Sequence, residues 1–204
     1  MDIQSFPWLF AAIVGFGHAF EADHLLAVGN IVTKRDNIIH AIKDGIYWGL
    51  GHTSTIFLIG VLMIIGKMTF FEGYFSYFEA VVGIMLIILG VVRIIQFFNG
   101  REKGVVTVDK HNVAYGVGLI HGMAGSGAMI LLVMTEVKGN VNSLLYLLVF
   151  GVGSVVGMLL AAGIFSLPFS RKLTSNKTLQ LSLVVLSSLL CIGYGGYIVF
   201  QNLV

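Results

Sequence analysis

The residues most able to do chemistry lie between Gly15 and Asn30, where the sequence reads GFGHAFEADHLLAVGN. Four side chains in this stretch can ionise or bind a metal: His18, Glu21, Asp23 and His24. They interrupt an otherwise apolar segment. A carboxylate at the centre of a bilayer costs about 2.5–3.5 kcal/mol on insertion scales, so such groups need partners or a bound cation. We interpret the stretch as a binding site for a divalent transition metal.

Helical geometry limits how these side chains can meet. At about 100° per residue, His18, Glu21 and His24 fan across about 120° of one helix face, and Asp23 falls outside that fan. An unbroken helix therefore cannot direct both histidines and Asp23 at one ion. Either the helix unwinds between Gly15 and Asp23, or Asp23 lies behind the ligands and orients a histidine.

Two further histidines lie in other apolar segments. His52 is placed about a third of the way into the second segment from its cytoplasmic end, and His121 lies in the fourth. Imidazole nitrogens with a carboxylate suit nickel, cobalt, iron or zinc better than magnesium or calcium. His40 and His111 fall at helix ends, where we expect them to be solvated. Nearby hydroxyls could complete the shell or bond between helices: Thr53, Ser54, Thr55 and Ser126.

The composition predicts an integral membrane protein. Of the 204 residues, 57% are apolar and 11% are charged, and the mean hydropathy is +0.93. A soluble domain would carry about 25% charged residues. The net charge of +2 gives no indication of a nucleic-acid partner, and the start, MDIQSFPW, does not resemble a removable signal peptide. Cys191 is the only cysteine, which excludes an intrachain disulfide and a cysteine-rich metal site.

Six segments have about the 20 apolar residues that a membrane span requires. We therefore predict an all-α integral membrane protein with six transmembrane helices in one domain, residues 1–204. The predicted spans are Phe6–Val32, Gly45–Gly66, Phe75–Phe98, Val113–Thr135, Ser143–Leu167 and Leu179–Phe200.

The two halves of the chain resemble each other. IHGMAGSGAMILL, from residue 120, is similar to GHAFEADHLLAV, from residue 17, and aligns His121 with His18. GLGHTSTIF in the second segment is similar to GVGSVVGML in the fifth and pairs His52 with Ser154. Repeats of three spans, about 1–100 and 111–204, must be inverted in the membrane, a common plan of secondary transporters.

Small residues recur at four-residue spacing in two segments. One ridge is formed by Gly45, Gly49 and Thr53. The other is formed by Gly153, Gly157 and Ala161. Such ridges let helix backbones approach closely in lipid, so we expect them to serve packing.

The basic residues predict the orientation. The first, third and fifth links, with the adjoining helix ends, carry most of the lysines and arginines, whereas the second and fourth hold only Lys67 and Lys138. The odd-numbered links are therefore expected in the cytoplasm, with both termini outside the cell membrane. Four acids then fall on the outer side, where they would weakly favour cations near the entrance: Asp2, Glu72, Glu79 and Glu136.

Two motifs carry a family resemblance. HAFEADHL, His18–Leu25, resembles the H-x-x-x-x-D-H signature of the nickel/cobalt transporter family, and WGLGHTST, Trp48–Thr55, resembles its second motif. The short six-span form with IHGMAGSG is similar to the urease-accessory-type membrane proteins of that superfamily. The resemblance implies movement of Ni²⁺ or Co²⁺, with these residues essential: His18, Asp23, His24 and His52.

The chain departs from the larger family members at two motif positions. Glu21 stands where an aspartate is expected, and Gly29 stands where another acid is expected. The extra spans of the larger members are also missing. These departures leave the identity of the metal and the direction of transport open.

The resulting hypothesis is a non-enzymatic permease for a divalent metal, Ni²⁺ first and Co²⁺ next, with Fe²⁺, Mn²⁺, Zn²⁺ and efflux as alternatives. The metal is the substrate, no resident cofactor is expected, and the partners are the ion and the bilayer, with homo-oligomerisation left open. No GxxxxGK[ST] motif is present, so an ion gradient or downhill flow would drive transport. Ligands must lose protons to bind metal, which predicts weaker binding below about pH 6.

Three other readings stay open. The polar groups could form a hydrogen-bonded network that only fixes helix register. The chain could be an intramembrane hydrolase, with Ser126 as nucleophile and His52 or His121 as base. Such a hydrolase could alternatively activate water on a metal held by His18, Asp23 and His24. The chain could also be an accessory subunit that hands metal to a partner without transporting it.

Overall fold

The computed structural model describes residues 7–32, 37–67, 73–99, 110–124, 129–131, 133, 137–167 and 177–203. Within these residues the long elements are all α-helices. They are α1 (Pro7–His18), α2 (Ala22–Val32), α3 (Ile38–Ile64), α4 (Phe75–Phe98), α5 (Lys110–His121), α6 (Asn140–Ser166) and α7 (Lys177–Leu203).

Four of these helices are long and apolar enough to cross a membrane: α3, α4, α6 and α7. They correspond to the second, third, fifth and sixth predicted spans, and α4 has the predicted bounds. The helices α1 and α2 are apolar but short. Twelve helical residues cover about 18 Å, which is less than the roughly 30 Å hydrocarbon core.

The first predicted span is divided into two helices. After α1 the backbone makes two tight turns, in which Phe20 N–H donates to the Gly17 carbonyl at 2.9 Å and Glu21 N–H donates to the His18 carbonyl at 3.1 Å. α2 then starts at Ala22. The broken helix, one of the two geometries that the sequence allowed, is therefore present.

The fourth predicted span, Val113–Thr135, is not continuous either. α5 starts earlier, at Lys110, and ends at His121, where a turn begins. Residues 125–128 lie outside the described part, so the predicted position of Ser126 is not described. Both α1 and α5 have 12 residues and end on a histidine.

α3 begins seven residues before the predicted start at Gly45. The Asn37 side chain caps it by accepting from Ile39 N–H, and Asp44 is tolerated inside because His111 Nδ1 donates to Asp44 Oδ1 at 2.8 Å. The prediction of a solvated His111 is therefore wrong. His40 is exposed, as expected.

The longer α3 also changes where His52 lies. His52 falls at the middle of the helix and not a third of the way along it. Because α3 is long enough to span, its midpoint is the depth at which a protected polar site would be most costly to build and best shielded from water.

The helices pack through reciprocal close contacts between the halves. α3 packs on α5 and α6, α1 packs on α6, and α4 packs on α7. Gly15 lies against the Phe150 carbonyl, and Gly118 lies in the same way against the Trp48 carbonyl. A side chain at either glycine would collide with that backbone, so these glycines set how closely the helices approach.

Both predicted small-residue ridges serve packing. Gly45 lies against the Met158 carbonyl and Gly157 against the Phe16 carbonyl. The Thr53 hydroxyl donates to the Gly151 carbonyl at 3.1 Å. The hydroxyl therefore bonds between helices and is not directed at a ligand.

Candidate metal centre

Four histidines from four helices meet in the interior of the bundle. His18 is the last residue of α1, His24 lies in the first turn of α2, His52 is at the middle of α3 and His121 ends α5. Their exposed fractions are 9%, 1%, 0% and 0%, respectively. The break between α1 and α2 matters here, because His18 and His24 are not held at the fixed angular spacing that a single helix would impose.

Three of the imidazoles converge. The ring centroids of His18 and His24 lie 4.5 Å apart, those of His18 and His52 lie 5.2 Å apart, and those of His24 and His52 lie 5.1 Å apart. One nitrogen from each ring lies within 4.8 Å of the other two. That spacing could close on one metal ion with small side-chain movements, since metal–imidazole bonds are about 2.0–2.1 Å long.

Asp23 lies behind these rings and links two of them. Its Oδ1 accepts from His24 Nδ1 at 3.0 Å and its Oδ2 accepts from His121 Nε2 at 2.9 Å. An ionised carboxylate can only accept, so those two nitrogens carry the hydrogens. His24 Nε2 and His121 Nδ1 are left with lone pairs. This is the orienting role that the sequence allowed for Asp23 as an alternative to direct ligation.

Glu21 does the same for His18. Glu21 Oε1 accepts from His18 Nδ1 at 2.8 Å, which leaves the lone pair on His18 Nε2. The Glu21 side chain is 56% exposed and that of Asp23 is 19% exposed, so the carboxylates lie between the buried rings and the solvent side of the site.

The inward-facing nitrogens have no hydrogen-bond partner among the described residues. This holds for His18 Nε2, His24 Nε2 and both nitrogens of His52. Buried polar atoms are paired in the great majority of cases, so a cluster of exceptions requires an explanation. Imidazole nitrogens that lack a protein donor and carry lone pairs are suited to bind a metal cation.

Aromatic residues that the sequence did not single out enclose the cluster. Trp48 lies 5.5 Å from His24 and 5.8 Å from His121, and Phe150 lies 5.5 Å from His18, measured between ring centroids. Trp48 precedes His52 by one helical turn, and this spacing could have predicted that its ring lies beside the cluster. These rings limit the access of water to the histidines.

Five of the six residues chosen from the sequence lie in two overlapping groups that share His24, and the sixth, Glu21, is bonded to His18. The first group is His18, His24 and His52, and the second is Asp23, His24 and His121. The described hydroxyls do not join them: Thr55 Oγ1 donates to the Leu119 carbonyl at 2.9 Å, for example.

The helices and the buried cluster define the class of a multi-pass membrane protein with histidines and carboxylates gathered in its interior. A relative from Bacillus sp. (strain TB-90), the urease accessory protein UreH, is 33% identical over 171 residues, covering 78% of this chain and 75% of the relative. The chain belongs to the nickel/cobalt transporter superfamily, with the urease-accessory-type membrane proteins, as its motifs predicted.

Two further relatives agree with this assignment. The nickel transporter NixA of Staphylococcus aureus is 37% identical over 59 residues, 27% of this chain and 17% of that protein. A presumed nickel/cobalt efflux system of Methanocaldococcus jannaschii is 28% identical over 196 residues, 90% of this chain and 88% of its own length. No family model matches the chain. No solved structure matches it either.

Proposed function

We propose that the chain is a permease for a divalent transition metal, Ni²⁺ first and Co²⁺ next. His18, His24 and His52 would supply the primary ligands. The observation that carries this proposal is the set of buried imidazole nitrogens that have no hydrogen-bond partner among the described residues. Carboxylates hold two of the three rings in place, those of His18 and His24.

The charges support a dication as the occupant. The three histidines would bind as neutral imidazoles, while Asp23 and Glu21 stand directly behind two of them. A dication and two carboxylates sum to zero charge, which lowers the cost of holding the ion inside the membrane. An imidazole-rich site favours Ni²⁺, Co²⁺, Fe²⁺ or Zn²⁺ over Mg²⁺ or Ca²⁺.

His121 would serve as a second station for the ion. Its ring lies 4.3 Å from that of His24, and both rings are bonded to Asp23. Because His24 adjoins His121 as well as His18 and His52, an ion could move from the three primary ligands to His121 by exchanging one imidazole at a time.

The architecture we propose is six spans in one domain, arranged as two inverted repeats with both termini outside. The helix lengths support it: α1 and α5 have 12 residues each, and α3 and α6 have 27 each. The contacts support it as well, because α3 packs on α5 as α6 packs on α1. In this arrangement the short helices of each half complete a span together with the segment that follows.

The other readings are less well supported. A network that only fixed helix register would satisfy its own nitrogens, whereas these find no partner in the part of the chain that the structure describes. A serine hydrolase would need Ser126, which lies outside the described residues. The accessory role has one argument, the name of the UreH relative, and the names of the relatives differ on the direction of transport.

The test is metal flux through the purified chain alone. Proteoliposomes that contain a metal-sensitive dye would be given Ni²⁺, with and without a proton gradient. We expect uptake by the wild type and by His40→Ala, whose side chain is exposed, and at least a tenfold lower rate in His24→Ala.

Two outcomes would contradict the proposal. Binding without flux would favour the accessory role, because a transporter needs no partner to move its substrate. Equal flux in the wild type and His24→Ala would show that the ion does not pass through the histidine cluster.

A further inference from the structure

A cavity adjoins the histidine cluster on the side of the carboxylates. Its volume is about 340 Å³, and it opens at the end of the bundle where α4 begins and α7 ends. Its lining residues are Glu21, Ala22, Asp23, Glu79, Val82, Ala124, Tyr194, Tyr197, Ile198, Gln201 and Asn202.

The cavity meets the cluster through shared residues. Glu21 and Asp23 line its inner end, and the same two carboxylates accept hydrogen bonds from His18 and His24. An ion that reached this inner end would be separated from the imidazoles only by a carboxylate. The space is large enough for a metal with its first shell of water, since a water molecule takes up about 30 Å³ of liquid volume.

The charged side chains of the lining are acidic. All its ionised side chains are carboxylates, contributed by Glu21, Asp23 and Glu79, and no lysine, arginine or histidine is among the described residues that line it. Gln201 and Asn202 add side-chain amide oxygens near the opening. A cleft with low-dielectric walls and charges of one sign focuses the field and raises the local concentration of the opposite charge.

Resting on the proposed permease function, we propose that this cavity is the passage by which the hydrated metal ion reaches the histidine cluster, and that Glu79 collects divalent cations in it. Glu79 is on α4, away from the motif on α1 and α2, and makes no contact with the histidines that the structure records. The ion would first bind oxygen atoms of the lining. It would exchange them for imidazole nitrogens at the inner end of the cavity, where Asp23 lies.

The passage can be tested by blocking it. Gln201→Cys places a thiol in the lining, and Asn142→Cys places one at an exposed position on α6 that is not part of the lining. The native Cys191 is fully buried, and its thiol donates to the Leu86 carbonyl at 3.3 Å, so it should not react. A bulky cationic methanethiosulfonate reagent should lower Ni²⁺ flux at least fivefold in Gln201→Cys and leave Asn142→Cys unchanged.

The role of Glu79 is tested by removing the charge of its side chain. In proteoliposomes at low ionic strength, Glu79→Gln should raise the half-saturating Ni²⁺ concentration at least threefold without changing the maximal rate, and Glu79→Asp should restore it. Added salt should reduce the difference, because exposed charges are screened within about 10 Å at 0.1 M. A purely structural role would lower the maximal rate and would not depend on salt.

The outcomes separate this inference from the proposed function. If the reagent does not lower flux in Gln201→Cys and Glu79→Gln does not change the half-saturating concentration, the passage is overturned and the permease stands. Absence of wild-type flux would overturn both. Block at residue 201 with an unchanged half-saturating concentration in Glu79→Gln would overturn the role of Glu79 alone.

Discussion

At the scale of single residues, the histidines differ in whether a carboxylate accepts a hydrogen bond from one of their ring nitrogens. Asp23 and Glu21 hold one nitrogen of each bonded ring and leave the opposite nitrogen facing inward. His52 has no such support, and both of its nitrogens lack partners among the described residues. Its ring is held by the packing of α3 and by its neighbours His18 and His24.

Asp23 should therefore act through the histidines and not as a ligand. Asp23→Asn keeps the size of the side chain, but its amide NH₂ group cannot accept a hydrogen bond from the second histidine. We expect Ni²⁺ affinity to fall 10–100-fold, the range for lost partners of metal-bound histidines, without being abolished. Isothermal titration of the purified protein measures it.

Glu21→Gln is the matched comparison. Because the Glu21 side chain is more exposed than that of Asp23 and bonds one histidine instead of two, its loss should cost less affinity. Complete loss of binding in Asp23→Asn would instead make Asp23 a direct ligand.

At the scale of helices, the site depends on the break between α1 and α2 and on close packing around it. Gly15 lies against the Phe150 carbonyl, and Ser154 Oγ donates to the Gly15 carbonyl at 3.0 Å. These contacts fix α1 on α6 three residues before His18. The position of His18 is thus set by helix packing, and the turn that follows sets His24.

Gly15→Ala should destabilise the protein. The added methyl would collide with the Phe150 backbone, and overpacking costs typically about 1–3 kcal/mol. Gly17→Ala is the control, because a methyl group there has nothing within 4 Å. Thermal unfolding in detergent should show a lower midpoint for Gly15→Ala alone; equal midpoints would mean that the close approach is not needed.

The sequence predicted the composition of the cluster better than its arrangement. The apolar surroundings of His18, Asp23, His24 and His52 made these residues conspicuous in the sequence. The angles between side chains around a helix could not decide between a broken helix and an Asp23 that orients a histidine. The structure has both. The pair of Asp44 and His111 was missed because its members are 67 residues apart.

That same pair explains an error in the fold. The charged residues Lys43 and Asp44 made Gly45 the predicted start of the second span. His111 offsets the cost of burying Asp44, and the helix begins at Ile38. A hydropathy pattern records the polarity of each residue and not whether a partner from another helix satisfies it.

At the scale of the whole molecule, the two halves contribute unequally. The alignment pairs His52 with Ser154, and Ser154 is used for packing, since its hydroxyl donates to the carbonyls of Gly15 and Phe150. Four of the five buried or half-buried cluster residues come from the first half, and His121 is the contribution of the second. A near-symmetric scaffold therefore carries an asymmetric site.

The proposed orientation makes a prediction that concerns the whole chain. Asn142→Cys should react with a membrane-impermeant thiol reagent in intact cells, because the link before α6 is expected outside. Lys43→Cys, on an exposed part of α3 near the first link, should react only after the membrane is permeabilised. The reverse pattern would show that the termini are cytoplasmic.

The most direct measurement is X-ray absorption at the nickel edge on the purified protein with one equivalent of Ni²⁺. We expect the multiple-scattering signature of about three imidazoles, falling by one in His52→Ala and unchanged in His40→Ala, whose side chain is exposed. A shell of oxygen atoms alone, identical in all three proteins, would show that the metal does not bind among the histidines.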